Sequence, residues 1–249
     1  MAGRILYFEA PDGISGDMTL GALIDLGVNA DEIRHELDKI IPGEYSFSAR
    51  PFERNGIHGI SLDIEAKEDY GHGHRHYSDI KAMIEVSGIS ERAKSRAIAI
   101  FDVIAEAEAF VHQALKEEVA FHEVGAMDSI IDIVGTAIAT DLLDVSDFYC
   151  SAPRDGSGTI KCQHGLIPVP VPAVMKMAEN AGIPIIIESD VSTEMITPTG
   201  FGIIKGLGAK FEPCLGIVPE KTGYGFGKRD TGRLGAVRVT LGEKYEGEE

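Results

Sequence analysis

The segment Met127 to Leu143 restricts the fold of this chain more than any other, because it is apolar enough to form a buried helix. It nevertheless carries Asp128 and Asp132, one helical turn apart and therefore on one face. His122 and Glu123 stand just ahead of it. A carboxylate among so many apolar residues needs a partner if it is buried. The sequence therefore places up to four metal ligands or proton carriers at the start of this helix.

Two interpretations of these residues stay open at the level of sequence. In the first, Asp128 caps the helix and Asp132 belongs to a solvated stripe. In the second, His122, Glu123, Asp128 and Asp132 form a catalytic cluster, in which His122 and Asp128 are also metal ligands. The pattern is not that of a zinc protease, because Ala126 occupies the position of the second histidine.

The apolar spacing along the chain predicts an α+β fold. Helices are predicted at 18–26, 31–40, 77–86, 91–115, 127–143, 173–180 and 197–207. Strands are predicted at 4–10, 45–52, 56–66, 148–152, 158–162, 184–188 and 236–241. We expect a helix-rich, metal-binding region over 1–145 and a substrate region rich in strands and glycine loops over 146–249, around one or more mixed sheets. The two regions can also form one composite domain.

Composition excludes several classes of protein. The net charge of -17 argues against a nucleic-acid partner, since phosphate backbones are bound by clustered Lys and Arg. Apolar runs are too short for a membrane span, and we find no signal peptide. Cys150, Cys162 and Cys214 include no C-x-x-C pair, so neither a disulfide framework nor a structural zinc site is indicated. We expect a cytoplasmic protein.

The stretch GHGHRH places His72, His74 and His76 at alternate positions. In an extended segment, side chains two residues apart point the same way. Imidazole binds Zn, Cu, Ni and Fe, so histidine alone does not identify the metal. We predict a transition-metal contact here, and the alternative is an exposed polar loop with incidental histidines.

Four glycine-containing segments predict a site that closes backbone around a phosphorylated small molecule. They are DGISGDM, DGSGTIK, TPTG and GYGFGKRD, and DGISGDM is not a Walker A motif because it has no Lys-Ser/Thr. Lys161 ends DGSGTIK, and His164 follows it three residues later. The candidate ligand-binding residues are Asp12, Ser15, Gly16, Asp17, Gly156, Gly158, Lys161, His164, Thr197, Thr199, Gly200, Lys228 and Arg229.

These motifs also occur together, and in this order, in a known family. YFEAPDGISGDMTLGALIDLG, RNGIHG, HGHRHYSDI, FHEVGAMDSIIDIVG, GSGTIKCQHGLIPVPVPA, ITPTGFGIIK and GYGFGKRD resemble the nickel insertion proteins of nickel-pincer nucleotide cofactor synthesis. The resemblance covers almost the whole chain.

The resemblance implies a CTP-dependent cyclometallase. Such an enzyme puts Ni(II) into pyridinium-3,5-bisthiocarboxylic acid mononucleotide with Ni–S and Ni–C bonds. The product is the cofactor of lactate racemase and related enzymes, so an apoenzyme of that type is an expected partner. The family's C-terminal domain is associated with CTP and Mg or Mn, and this chain resembles the N-terminal part. We therefore expect it to act with a C-terminal half, and as a homo-oligomer.

Two other functions compete with this interpretation. The chain can be a nickel chaperone or store that binds metal through its histidine loop without any chemistry. It can also be a metal-dependent phosphohydrolase that uses Asp12, Asp17, Asp128 and Asp132.

Overall fold

The computed structural model describes residues 4–43, 45–66, 75–121, 127–162 and 165–245. Its fold is α+β, as predicted from the sequence, with helices packed on a seven-stranded mixed sheet. Buried side chains from nearly every element form one continuous apolar core.

The sheet is built from strands on both sides of residue 145. In spatial order its strands are β11 (Lys210–Phe211), β6 (Asp147–Cys150), β1 (Arg4–Glu9), β13 (Ala236–Lys244), β12 (Ile217–Phe226), β3 (Ile57–Ala66) and β2 (Tyr45–Arg54). Strand β6 runs parallel to β1 and β11, β12 runs parallel to β3, and the other pairs are antiparallel. Leu62 and Ile64 on β3 are buried and alternate with more exposed neighbours, as the sequence pattern predicts.

Three short ladders lie outside this sheet. They pair β4 (Arg75–His76) with β5 (Ala120–Phe121), β7 (Arg154–Asp155) with β10 (Ile186–Ile187), and β8 (Thr159–Cys162) with β9 (Gly165–Pro168). The sequence predicts a rigid connection from residue 164 through the proline run. The structure corrects this, because Gly165–Pro168 forms the second strand of a hairpin.

Seven α-helices occur within the described residues. They are α1 (Gly16–Asp25), α2 (Ala30–Leu37), α3 (Tyr77–Val86), α4 (Glu91–His112), α5 (Met127–Leu142), α6 (Pro172–Ala178) and α7 (Pro198–Gly206). Helix α1 packs directly on β12 and β3, α5 packs on α1, and α4 packs on α5, α6 and α7. None of the described helices has the length and apolarity required to cross a bilayer.

The sequence predicts Ser78 and Ser90 as N-cap residues of the helices at 77–86 and 91–115. Ser90 caps α4, since its Oγ accepts a hydrogen bond from Ala93 N at 3.1 Å. The prediction that Ser78 caps α3 is wrong, because the helix already begins at Tyr77 and His76 is the N-cap residue.

The sequence predicts a glycine-rich loop at GYGFGKRD, and the structure corrects this, because most of these glycines are strand residues. Gly223–Phe226 belongs to β12, and only Gly227 onward forms the loop. A Cβ at Gly225 would lie 1.8 Å from Met18 O, and one at Gly223 would lie 2.3 Å from Ala22 O. These glycines therefore allow α1 to lie directly against the sheet.

Candidate active site

Two loops that precede helices are joined by backbone hydrogen bonds. Ile14 N donates to Met195 O, and Thr197 N donates to Ile14 O, both at 3.0 Å. Gly13 has a φ of +87°, and a Cβ there would lie 2.1 Å from Met195 O. This pairing brings the start of α1 beside the start of α7.

Three helix N-termini meet at one cavity. The first turns of α1, α5 and α7 all contribute residues to its wall. Unpaired N–H groups and the helix dipole make each N-terminus favourable for negative charge. Asp17 and Asp128 occupy first-turn positions of α1 and α5. The dipoles of α1 and α5 therefore partly offset the negative charges of Asp17 and Asp128.

The cavity has two adjoining lobes that share the lining residues Ser15, Asp17, Glu194, Thr197 and Lys228. We name the lobe of about 290 Å³ the acid lobe; its other lining residues are Gly16, Leu62, Ile64, Asp128, Ser129, Asp132, Pro198 and Thr199. We name the lobe of about 230 Å³ the loop lobe; its other lining residues are Asp12, Met18, Met195, Gly227, Arg229, Thr231 and Gly235. Both lobes combine apolar walls with a few convergent polar groups, as ligand sites do.

Asp132 is the buried acid of the acid lobe. Its relative exposure is 8%, which excludes the interpretation of Asp132 as part of a solvated stripe. Among the described residues, its Oδ1 atom has no hydrogen-bond partner. Burial raises the pKa of Asp132 well above its usual value, and the neighbouring charges of Asp17 and Asp128 raise it further. Asp132 is therefore poised to hold a proton that a ligand can displace.

Asp17 lies next to Asp132, but its carboxylate accepts hydrogen bonds from neighbouring residues. Its Oδ1 accepts hydrogen bonds from Ser15 Oγ and from Met18 N, the latter at 2.9 Å. Burial raises the pKa of Asp17, while these hydrogen bonds and the charge of Lys228 oppose the shift. The two acids therefore differ in hydrogen bonding: Asp17 accepts from two donors, whereas Asp132 Oδ1 accepts from none among the described residues.

The cations of the cavity are anchored differently. Arg229 donates to Glu194 O at 2.8 Å through Nη1 and to Glu194 Oε1 at 3.0 Å through Nη2, which fixes the Glu194 side chain. Lys228 is more exposed, and its Nζ lies 3.5 Å from Asp63 Oδ1. Lys228 is therefore the cation that is more readily redirected towards a ligand.

A buried acid outside the cavity holds one of its walls. Asp155 Oδ1 accepts hydrogen bonds from Gly156 N at 2.8 Å, Met195 N at 2.7 Å and Ile196 N at 3.2 Å. Its relative exposure is 0%. Asp155 thereby fixes the segment that carries Glu194 and Thr197 into both lobes.

Comparison with known proteins adds the decisive observation, because a family model described as nickel insertion protein matches residues 6–249. The chain belongs to this nickel insertion family. It is 46% identical over 98% of its length to the pyridinium-3,5-bisthiocarboxylic acid mononucleotide nickel insertion protein of Acetivibrio thermocellus, and 45% identical over 97% to that of Lactiplantibacillus plantarum. The protein of the same name in Staphylococcus epidermidis is 43% identical over 95% of this chain.

The chain spans only part of these family members. It covers 62% of the Acetivibrio and Lactiplantibacillus proteins and 58% of the Staphylococcus protein. No solved structure matches the chain.

Of the described residues that the sequence predicts as site residues, the fold brings most together. Those in or against the two lobes are Asp12, Ser15, Gly16, Asp17, Asp128, Asp132, Thr197, Thr199, Lys228 and Arg229. Gly200 lies behind them, where a Cβ would fall 2.2 Å from Ile14 O. Gly156, Gly158 and Lys161 are not among the lining residues of either lobe.

Some candidate site residues lie outside the described residues, namely the predicted metal ligands His72, His74 and His122, the predicted catalytic residue Glu123 and the predicted ligand-binding residue His164. Within the described part of the chain, no three His, Cys, Asp or Glu side chains are grouped to hold a metal ion. His76 is described, and its Nδ1 lies 3.2 Å from the carbonyl oxygen of Glu118. A carbonyl only accepts, so this contact favours the tautomer whose remaining lone pair is on Nε2.

The β4–β5 ladder brings the described ends of two segments close to α5. Arg75 follows the segment 67–74, and it pairs with Phe121, which precedes the segment 122–126. Arg75 Nη1 also lies 3.9 Å from Sδ of Met127, the first residue of α5. Arg75, which follows the histidine-rich segment, therefore contacts α5, the helix that carries Asp128 and Asp132.

The candidate residues did not include several other lining residues, among them Leu62, Ile64, Ser129, Glu194 and Thr231. Of these residues, Glu194 has the clearest sequence signal, because it is an acid only three residues before the TPTG motif. Leu62 and Ile64 carry no such signal, since they read as ordinary core positions of a strand.

Proposed function

We propose that this chain binds pyridinium-3,5-bisthiocarboxylic acid mononucleotide in the two-lobed cavity and takes part in inserting nickel into its ring. The observation that carries this proposal is the buried Asp132 carboxyl at the acid lobe, whose Oδ1 lacks a partner among the described residues. A buried polar atom without a partner is costly, and a ligand that reaches it removes that cost.

The reaction requires a base. When a Ni–C bond replaces a C–H bond of the pyridinium ring, Ni(II) takes the place of one proton, and that proton must leave. Asp132 is suited to accept it, because a carboxylate whose pKa is raised by burial is a stronger base than an exposed one. The approach of Ni(II) favours the ionised carboxylate, so arrival of the metal itself prepares the base.

Nickel is a substrate of this reaction. We assign its capture to His72, His74 and His76, and its placement at the ring to His122 and Asp128, with Glu123 as a further proton carrier. Neutral imidazole is a favourable ligand for Ni(II), and the β4–β5 ladder beside α5 supports a transfer from the histidine segment towards the acid lobe.

The mononucleotide itself is assigned to the loops around the cavity. We assign its binding to Asp12, Ser15, Asp17, Thr197, Thr199, Lys228 and Arg229, with Gly16 and Gly200 allowing close backbone approach. Gly156, Gly158, Lys161 and His164 remain a proposed second part of this binding surface, in the segment that follows Asp155.

The full reaction involves further components. We propose that it uses CTP with Mg or Mn, that a C-terminal half of the family supplies this step, and that an apoenzyme of the lactate racemase type receives the product. We also propose a cytoplasmic homo-oligomer.

The test reconstitutes the reaction. The chain, the thiolated mononucleotide, Ni(II) and Mn-CTP are mixed with and without a C-terminal half, and apo lactate racemase reports product. The Asp132→Asn variant keeps the shape of the side chain but removes its basicity, so we expect a rate at least about 100-fold lower. Asp79→Asn on the exposed face of α3 is the matched control and retains the wild-type rate.

Each other outcome has a defined meaning. A folded Asp132→Asn variant that works at the wild-type rate would show that Asp132 is not the base. Saturable nickel binding by the wild-type chain without product in either mixture would point to a chaperone instead of an enzyme.

A further inference from the structure

The two lobes differ in charge, and so do the two ends of a pyridinium mononucleotide. Asp128 and Asp132 line only the acid lobe, whereas the charged residues that line only the loop lobe are Asp12 and Arg229, whose charges offset each other. The pyridinium nitrogen and a bound Ni(II) together outweigh the two thiocarboxylates of the ring, so the nickel-loaded ring end is positive, whereas the phosphate end is negative. Electrostatic complementarity therefore favours the ring in the acid lobe and the phosphate in the loop lobe.

The walls of the acid lobe support the same orientation. Leu62 and Ile64 on β3 give it an apolar side against which a planar ring can pack. Asp132 lies more than nine-tenths buried at this lobe, and its Oδ1 has no partner among the described residues. That atom is an independent indication that a ligand group belongs there.

Glu194 stands at the junction of the lobes. It lines both of them, and its side chain is only 12% exposed. Arg229 holds it in place through one bond to its backbone oxygen and one to its carboxylate. A ligand with its ring in one lobe and its phosphate in the other must pass its sugar through this junction.

We infer that Glu194 binds the ribose hydroxyls of the mononucleotide and thereby sets its orientation across the two lobes. A carboxylate has lone pairs enough to accept from two neighbouring hydroxyl groups while it also accepts from Arg229. Acids bind ribose hydroxyls in the same way in dinucleotide sites. Arg229 is then a positioning residue for Glu194, and the inference rests on the proposed function.

The test compares two sugars. The probes are the dicarboxylate analogue of the mononucleotide, which has oxygen in place of sulfur, and its 2′-deoxyribose counterpart. Titration calorimetry measures the affinity of both for the wild-type chain, Glu194→Gln and the exposed control Glu243→Gln. We expect the wild type and the control to prefer the ribose form by about tenfold, as for one lost charge-assisted hydrogen bond. Glu194→Gln loses most of this preference.

Three results would overturn the inference. One is a wild type that binds both sugars equally, a comparison that stands even if Glu194→Gln does not fold. The second is a folded Glu194→Gln variant that keeps the full preference. The third is a crystal structure of the complex with the phosphate, instead of the ring, beside Asp132. If the wild type binds neither probe, the proposed function itself fails, and the assignment of Glu194 fails with it.

Discussion

The carboxylate of Asp132 lies directly over Gly16, the first residue of α1. A Cβ at Gly16 would fall 2.5 Å from Asp132 Oδ2 and 2.8 Å from its Cγ. The two residues are far apart in sequence, and the packing of α5 on α1 brings them together. Gly16 therefore provides the space that the buried acid occupies.

The substitution Gly16→Ala tests this relationship. Alanine is the better helix former, so without a clash it would stabilise the start of α1. We expect overpacking to destabilise the protein by about 1–3 kcal/mol, and displacement of Asp132 to slow nickel insertion by about 10- to 100-fold. Thermal unfolding and the racemase maturation assay measure the two effects.

A second glycine provides the control. In Gly88→Ala the nearest contact of the new Cβ is Lys39 Cδ at 3.6 Å, an ordinary van der Waals distance. That variant keeps both stability and rate. If Gly16→Ala behaves in the same way, the position of Asp132 is not set by Gly16.

The raised pKa of Asp132 makes stability depend on pH. The folded state holds this proton more tightly than the unfolded chain, whose Asp pKa is about 3.9. The resulting stabilisation is complete below that value and is lost as pH rises through the folded-state pKa. In this window the free energy of unfolding falls with pH, and Asp132 contributes up to about 1.4 kcal/mol per pH unit.

Asp132→Asn removes this contribution because the amide does not titrate. Urea unfolding at a series of pH values above 4 is expected to show a shallower decline for the variant than for the wild type. Asp17, whose pKa is also raised, leaves part of the slope in both proteins. Equal slopes would mean that Asp132 is already ionised in the folded protein.

Apolar periodicity in the sequence predicts helices and strands well where one face of the element is buried. The strand at Ile57–Ala66 and the acid-bearing helix at Met127–Leu142 are found close to their predicted bounds. Glycine was harder to interpret. The glycines of β12 resemble a flexible loop in sequence, and they serve instead to let α1 approach the sheet.

The sequence predicts the separate segments that line the candidate site, but not which of them come together in the fold. DGISGDM, TPTG and the acids of α5 each give a local signal, because helix starts and phosphate loops have characteristic residues. Their convergence depends on long-range pairing, such as that of Ile14 with Ile196. A local sequence pattern does not predict which loops such a pairing brings together. Glu194, which lies close to this pairing in sequence, was therefore not predicted.

Asp155 offers a test of how the wall of the cavity is held. Asp155→Ala leaves three buried backbone N–H groups without their acceptor, and we expect a loss of about 3 kcal/mol or more in unfolding free energy. Asp155→Asn keeps an acceptor oxygen at that position and is expected to lose clearly less. Denaturant unfolding of both variants makes the comparison, and equal losses would show that these bonds do not anchor the segment around Glu194.

Lys228 tests the phosphate end of the cavity. Its Nζ is 3.5 Å from Asp63 Oδ1 and its side chain is 56% exposed, so it can turn towards a bound anion. We expect Lys228→Gln to weaken binding of the dicarboxylate mononucleotide by about tenfold and to reduce its salt dependence, because a cation–phosphate contact is lost. Binding of the corresponding nucleoside, which lacks the phosphate, stays unchanged.

Titration calorimetry at two salt concentrations measures both ligands. Lys210→Gln is the matched control, because Lys210 pairs with Asp147 on the surface and lines neither lobe. A Lys228→Gln variant that loses affinity for the nucleoside and the nucleotide equally would place the contact of Lys228 on the ring or sugar. That outcome would remove Lys228 from the residues proposed to bind the phosphate.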